Sequence, residues 1–201
     1  MIGFIGAGRA ARGLGLYFSA SGIKVSGYYD TDKIKSEEAA SLTKTRDFLN
    51  LREVIESSEI IFLSTGDDFI SRAGEELKEQ LGESRKVIAH LSGLHDSGVL
   101  KEIFPLLPCF SLHPIHSFSG EKDDIEKLEK AVFTVEGDRE GLELLKKVFQ
   151  PLPNRLIKIN SEDKVLYHGA CVFASNYITT LIYKGLKILK DIGIPENDAK
   201  L

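Results

Sequence analysis

The sequence predicts an α/β protein, a doubly wound and mostly parallel sheet followed by an all-helical region, and three observations carry that prediction. Short apolar runs alternate with charged stretches of helical period through about residue 160, the rhythm of βαβ units. A glycine-rich turn, Gly6-Ala7-Gly8, stands directly behind the first apolar run. Beyond Asn160 the alternation stops, and a stretch interrupted only by Gly169 and Gly185 runs to about Ile192, longer than a typical soluble helix.

In chain order, MIGFIG, KVSGYYD, EIIFLST, KVIAHLS and PCFSLHP read as strands. Between and after them RAARGLGLYFSA, KIKSEEAASL, DFLNLREVIESS, DDFISRAGEELKEQL and SGVLKEIF read as helices. The helix beginning near Phe69 is announced by Asp67 and Asp68, placed to cap its N-terminus and to complement its dipole. AVFTVEGD, GLELLKKVF and RLIKI add a strand, a helix and a last strand. Gly193 and Pro195 end the long helix, and PENDAKL reads as the opening turn of another, as though the helical region continued. The expected division is residues 1–160 and 161–201.

Composition excludes several classes. With 42% hydrophobic and 28% charged residues and no low-complexity tract, the chain is an ordinary globular one. A net charge of −4 without a basic cluster argues against nucleic acid as a partner. Cys109 and Cys171 fit no metal spacing and sit among apolar neighbours, which suggests two buried thiols in a reducing cytoplasm. Val165 to Tyr183 contains no Asp, Glu, Lys or Arg, a membrane-spanning length. His168, Ser175, Asn176, Thr179 and Thr180 within it favour a buried helix of a soluble protein, with no membrane partner.

Gly6-Ala7-Gly8-Arg9-Ala10-Ala11 matches G-x-G-x-x-G/A between a strand and a helix, and Asp30 follows at the end of the second strand, 22 residues beyond Gly8. That context is the dinucleotide fingerprint. Gly6 permits the tight turn, Gly8 lets main-chain N–H groups approach a pyrophosphate, and Ala7, Arg9 and Ala10 supply the rest of the turn and the helix start. A carboxylate at Asp30 suits the ribose hydroxyls and repels a 2′-phosphate, which favours NAD over NADP, although Arg9 and Arg12 are also candidates to reach a phosphate.

Ligands of open α/β sheets lie beyond the carboxyl ends of the strands, so Ser64-Thr65-Gly66 and the Ser92 loop should face the cofactor. His113 precedes Pro114 at a strand end, with His116 three residues on. On the long helix Lys164, His168, Cys171, Ser175 and Thr179 fall within roughly 80° of arc, with Asn176 at its edge, among apolar residues. A polar stripe on a greasy helix either forms a structural network or meets a ligand.

These stretches, GFIGAGRAARGLG, FLSTGDDFI, HLSG, LHPIHSFSG and KVLYHGACVFASNYITTL, resemble the Rossmann-fold NAD(P) oxidoreductases of unassigned substrate whose second half is a domain of unknown function. That group lies in the 6-phosphogluconate dehydrogenase-like superfamily, near pyrroline-5-carboxylate reductase, ketopantoate reductase and prephenate dehydrogenase. The resemblance implies a Rossmann domain, a helical substrate and dimerisation domain, and a homodimer through the helical region; relatives carry several more helices. The expected reaction is hydride transfer between a nicotinamide and a C=O or C=N carbon of a small anionic metabolite. Lys164 and His168 are the candidates to move the proton, Asn176 and Ser92 to orient the substrate, and His113 to bind its carboxylate or act as the acid. A His-Pro turn after a strand also occurs in prephenate dehydrogenases, so a cyclohexadienyl substrate is an alternative within the class. Two other classes fit less well: a non-catalytic dinucleotide sensor, and an S-adenosylmethionine methyltransferase.

Overall fold

A cross-strand row of rings explains why the apolar runs lie side by side. In a computed structural model, described for residues 1–195 and 197–199, the strands are β1 (Ile2–Ile5), β2 (Val25–Tyr29), β3 (Arg46–Asp47), β4 (Ile60–Leu63), β5 (Val87–His90), β6 (Cys109–Pro114), β7 (Phe133–Gly137) and β8 (Leu156–Lys158). They form one sheet in the order β3-β2-β1-β4-β5-β6-β7-β8, parallel except where β7 meets β6. The register aligns Tyr28, Phe4, Phe62, Ala89 and Phe110 across β2, β1, β4, β5 and β6. Phe4 stacks on Tyr28 and Phe62 with centroids 5.2 and 5.6 Å away. Ala89 is small enough to let Phe62 and Phe110 meet edge-on across it at 5.8 Å. The expected doubly wound, mostly parallel sheet is therefore present. The two-residue β3 lies inside DFLNLREVIESS or at its border, too short to leave a period, and the helix there starts only at Leu51 behind the Asn50 cap.

Helices cover both faces. On the ring side, α1 (Arg9–Ala20), α2 (Lys33–Thr43), α6 (Asp123–Glu129) and α7 (Arg139–Phe149) contribute Leu14, Phe18, Ala39, Leu128 and Leu145 to one core. On the other side α3 (Leu51–Ser57), α4 (Ile70–Leu81) and α5 (Gly98–Ile103) pack Val54, Leu77 and Leu100 against Ile5, Ile61 and Ile88. Asp67 and Asp68 do not cap α4 as expected; they begin a short 3-10 turn closed by Phe69 N donating to Gly66 O, and α4 opens after it without a side-chain cap. Cys109 is buried and burial pushes its thiol up to about 12, whereas Cys171 is only partly buried, unlike the expected pair of buried thiols.

The chain divides into two units, Met1–Lys164 and Val165–Leu201. The long helix consists of α8 (Lys164–Val172), a π-helical segment (Phe173–Tyr177) and α9 (Ile178–Asp191). Its expected burial is not observed: Leu166, Phe173, Leu181 and Ile182 are exposed, as are Ser175, Asn176 and Thr179. Among the described residues this unit is one helix and a closing turn, and a single helix has no layer to cover its sides. The stretch is long and apolar enough to cross a membrane, by length and composition alone. The uniform polar stripe also fails, because the π-helical segment changes the angular step after Val172. Ser175, Thr179 and Thr180 satisfy their hydroxyls on carbonyls of their own helix, at Cys171, Ser175 and Asn176. The turn at Pro195 accepts N–H bonds from Asp198 and Ala199; the rest of the expected final helix falls on Glu196, Lys200 and Leu201, outside the described residues.

The close approach of α1 to the sheet rests on Gly15, where a Cβ would stand 1.7 Å from the hydroxyl of fully buried Tyr28. Gly15→Ala should therefore cost about 1–3 kcal/mol of stability, read as a lowered urea midpoint with an unchanged slope.

Candidate functional site

The glycine turn is held by main-chain and side-chain bonds from both neighbouring strands. Gly6 has φ +96°, and a Cβ there would stand 2.7 Å from Ser64 O, so the position demands glycine on two counts. Ser64 N donates to Ile5 O at 2.8 Å and Ser64 Oγ to Gly6 O at 2.7 Å. From β2, Asp30 Oδ2 accepts Ala7 N–H at 2.7 Å while its Oδ1 accepts Asp32 N–H at 2.9 Å. A Cβ on Gly8 would meet nothing within 4 Å, which leaves the N-terminus of α1 open to a ligand.

Above the ends of β1 and β4 lies a cavity of about 580 Å³ lined by Gly6, Gly8, Asp30, Ser64, Thr65 and Gly66, six of the nine expected cofactor residues. Ala7 backs the turn through its bond to Asp30, and Arg9 and Ala10 begin α1 outside the lining. Buried Thr65 Oγ1 has no hydrogen-bond partner, an orphan that a ligand hydroxyl or phosphate oxygen would satisfy. The open helix end, the glycine cradle and this orphan fit a dinucleotide. Sequence reading missed Lys35 and Arg72, which also line the cavity; they arrive from α2 and α4, where helical periodicity marks only the core-facing side. Arg12 instead pairs with Glu38 at 3.0 Å.

A second polar cluster sits at the carboxyl ends of β5 and β6. Lys164 is 2% exposed, and its Nζ donates to Ser92 O at 2.8 Å and to Ser111 Oγ at 2.7 Å. Ser92 contributes its carbonyl, because its hydroxyl accepts the N–H groups of Leu94 and His95 within its own loop. Ser111 faces Glu136 across the β6–β7 register. Buried Glu136 accepts Ser97 N–H and the hydroxyls of Ser97 and Ser161, tying the turn that leads into Lys164 to the sheet.

Fully buried His90 accepts Ser92 N–H on Nδ1 at 3.2 Å, and its Nε2 lies 3.0 Å from Asp96 O. Two such partners place the proton on Nε2. Burial is the main cause that lowers its pKa to about 4, with a smaller contribution of the same sign from Lys164 and an opposing one from the Asp96 carbonyl. Ser111, Glu136 and His90 were not foreseen as site residues.

His113 lies partly buried in β6, paired with Thr134, whose hydroxyl donates to the His113 carbonyl. His116 is a clamp, its Nε2 2.9 Å from Asp124 Oδ1. Burial acts to raise the Asp124 pKa, but bonds from His116 and from the N–H groups of Ser119 and Gly120 outweigh it and hold the carboxyl below its usual range. His168 and Asn176 belong to the second unit, where His168 is partly buried with no partner for Nδ1 and exposed Asn176 accepts from Ser175 Oγ.

Residues 1–92 match the family described as NADP oxidoreductase coenzyme F420-dependent, and residues 131–201 match a domain of unknown function, DUF2520. The two matched segments follow one another along a Rossmann-like chain. A Bacteroides fragilis protein described as an NADP oxidoreductase is 22% identical with a TM-score of 0.84, over 98% of this chain and 74% of that one. A Thermotoga maritima protein is 26% identical with a TM-score of 0.68, over 97% and 71%. An Aquifex aeolicus prephenate dehydrogenase in complex with hydroxyphenyl propionate and NAD+ is 16% identical with a TM-score of 0.74, over 98% and 71%. No curated protein matches the chain. In this Rossmann-like fold the two clusters stand on the sheet edge where ligands of such sheets lie.

Two outcomes test the geometry. Asp30→Ala should weaken NADH by about tenfold, the worth of one charge-assisted bond to the turn, and NADPH by less, because the carboxylate that repels a 2′-phosphate is gone; Asp30→Asn, which keeps an acceptor for Ala7 N–H, should lose much less NADH affinity in calorimetric titration. Native His90 resists protonation down to about pH 4, whereas an unfolded histidine takes a proton near pH 6.5. Its contribution is therefore complete above pH 6.5 and is lost as the pH falls from there towards 4; His90→Gln should flatten that part of the stability profile.

Proposed function

We propose that the chain binds a nicotinamide dinucleotide at the ends of β1 and β4 and reduces or oxidises the C=O or C=N carbon of a small anionic metabolite. The observation that carries this reading is the buried ammonium of Lys164 at the ends of β5 and β6, on the same edge of the sheet as the nucleotide cavity. When bound, the nicotinamide supplies or accepts the hydride. Lys164 holds the proton that accompanies it: Ser92 O and Ser111 Oγ fix the ammonium, so that its charge is already oriented when negative charge develops on the substrate oxygen. The same cation favours an anionic substrate. Of the proton-carrier candidates Lys164, His168 and His113, Lys164 is preferred because Ser92 O and Ser111 Oγ hold its amine.

The charges around the cavity support NAD over NADP. Lys35 pairs with Asp32 and Arg72 with Glu76, whereas the Asp30 carboxylate is held by main-chain N–H groups and keeps its negative charge beside the ribose position. The free cysteines fit a reducing cytoplasm. A second copy of the chain is the partner we assign to the exposed apolar residues of the helical unit, since the side-chain amide of Asn176 on the same helix disfavours a hydrocarbon surrounding.

Fluorescence titration should show binding of NADH more tightly than NADPH, and none of S-adenosylmethionine; absence of both nicotinamide nucleotides would overturn the reading. Lys164→Met should leave nucleotide affinity unchanged and lower turnover by about a hundredfold or more across 2-oxo acids and cyclic imines. Sedimentation velocity should give a dimer; a monomer that partitions onto phosphatidylcholine vesicles would replace the second copy with a membrane.

A further inference from the structure

His90 touches neither the nucleotide cavity nor the Lys164 amine in any bond described above, yet it sits at the base of the loop that holds the amine. Its Nδ1 takes the N–H of Ser92, and the carbonyl of that same residue takes the Lys164 ammonium at 2.8 Å. One residue's two main-chain groups therefore link the ring to the cation. The opposite side of the ring is fixed as well, because Nε2 lies 3.0 Å from Asp96 O, where the loop enters α5. Ser92 Oγ closes the loop from within by accepting from Leu94 and His95.

We propose that His90 is a positioning residue for Lys164, its neutral Nε2–H form setting the direction of the Ser92 carbonyl and thereby the place of the ammonium. This rests on the reading of Lys164 as the proton carrier only for its consequence in turnover; the coupling itself is a property of the folded chain. The tautomer follows from the partners. Nδ1 faces an N–H donor and has to be bare, and Nε2 faces a carbonyl and has to carry the proton. A second proton on Nδ1 would meet the Ser92 N–H head-on and turn the Leu91–Ser92 peptide away, a movement passed to the carbonyl of the next peptide through the shared Ser92 Cα, so the ring serves only while neutral. Its burial and the nearby positive charge of Lys164 keep it so.

Among the described residues the titratable groups that act on His90 are Lys164, His95 and Asp67. On the far side of the ammonium Ser111 faces Glu136, whose carboxylate is committed to Ser97 and Ser161. Rotating the Ser92 carbonyl thus removes one of two described acceptors from a buried cation, and Ser111 Oγ remains.

The experiment reads Lys164 directly. In full-length protein labelled with 13Cε-lysine, the Lys164 resonance, assigned from its loss in Lys164→Met, is titrated in wild type, His90→Asn, His90→Gln and Ser111→Ala. Asparagine places an acceptor near the Nδ1 position, and glutamine places a donor near the Nε2 position without that acceptor. His90→Gln and Ser111→Ala should each shift the Lys164 midpoint by half a pH unit or more, and His90→Asn should restore it to within a few tenths. Where turnover is measurable, the same shift should appear in the pH dependence of kcat, with nucleotide affinity unchanged. An unshifted Lys164 midpoint in folded His90→Gln overturns the proposal, and so does an equal shift in both histidine variants, the mark of general loosening. If His90→Gln does not fold, His90→Asn decides: a wild-type Lys164 midpoint supports the role of the Nδ1 acceptor and a displaced one overturns it. Undiminished turnover in Lys164→Met would instead overturn the assigned proton carrier and leave the coupling standing.

Discussion

A lysine ammonium removed from water is the constraint around which the carboxyl ends of β5 and β6 are arranged. Withdrawing such an ion costs several kcal/mol unless acceptors are already in place. Lys164 therefore has to find Ser92 O and Ser111 Oγ prepared. Each acceptor is held by its surroundings: the Ser92 loop by its own bond to His90, and Ser111 by the register that sets β6 against β7. Glu136 completes the arrangement by gripping Ser161, three residues before Lys164. The cation thus reports whether the ends of β5, β6 and β7 are correctly joined.

The nucleotide end is built on a different principle. There the polypeptide supplies mostly main chain: Gly6 and Gly8 shape it, Ser64 and Asp30 fasten it, and the opening of α1 offers its N–H groups. Such a site needs little beyond correct strand pairing, because β1, β2 and β4 deliver all its parts at one level. The aromatic row from Tyr28 through Phe4 to Phe62 locks that level, since a slip of one residue would turn each ring to the opposite face.

This difference explains what was legible in the sequence. Gly6, Gly8 and Asp30 are readable because the turn requires those residue types at fixed spacing, and the sheet because its strands are apolar runs between amphipathic helices. Ser92 was expected to offer its side chain to a ligand; its hydroxyl instead satisfies loop neighbours, and its carbonyl accepts from Lys164. Ser111 and Glu136 carry no local signal, since their place arises from cross-strand register and from bonds such as Ser97–Glu136 and Ser111–Lys164, 39 and 53 positions apart in the chain, and His90 is tied to the same cluster through Ser92, whose carbonyl meets Lys164 72 positions away. The long helix was misjudged because periodicity describes what a face would bury, and burial also requires something to bury it against.

Asp30 shows how the two kinds of requirement combine in one side chain. One oxygen anchors Ala7 in the glycine turn, and the other holds the chain as it leaves β2. The same carboxylate lines the cavity at the place where the ribose hydroxyls of a dinucleotide would lie. Replacing it by a small or basic residue to admit a 2′-phosphate would therefore also release the glycine turn that shapes the cavity. Selectivity is more easily altered at Lys35 and Arg72, whose charges are held by Asp32 and Glu76 on exposed helix surface. Freeing either cation from its neighbour would change the charge offered to the cavity without touching the bonds that shape it.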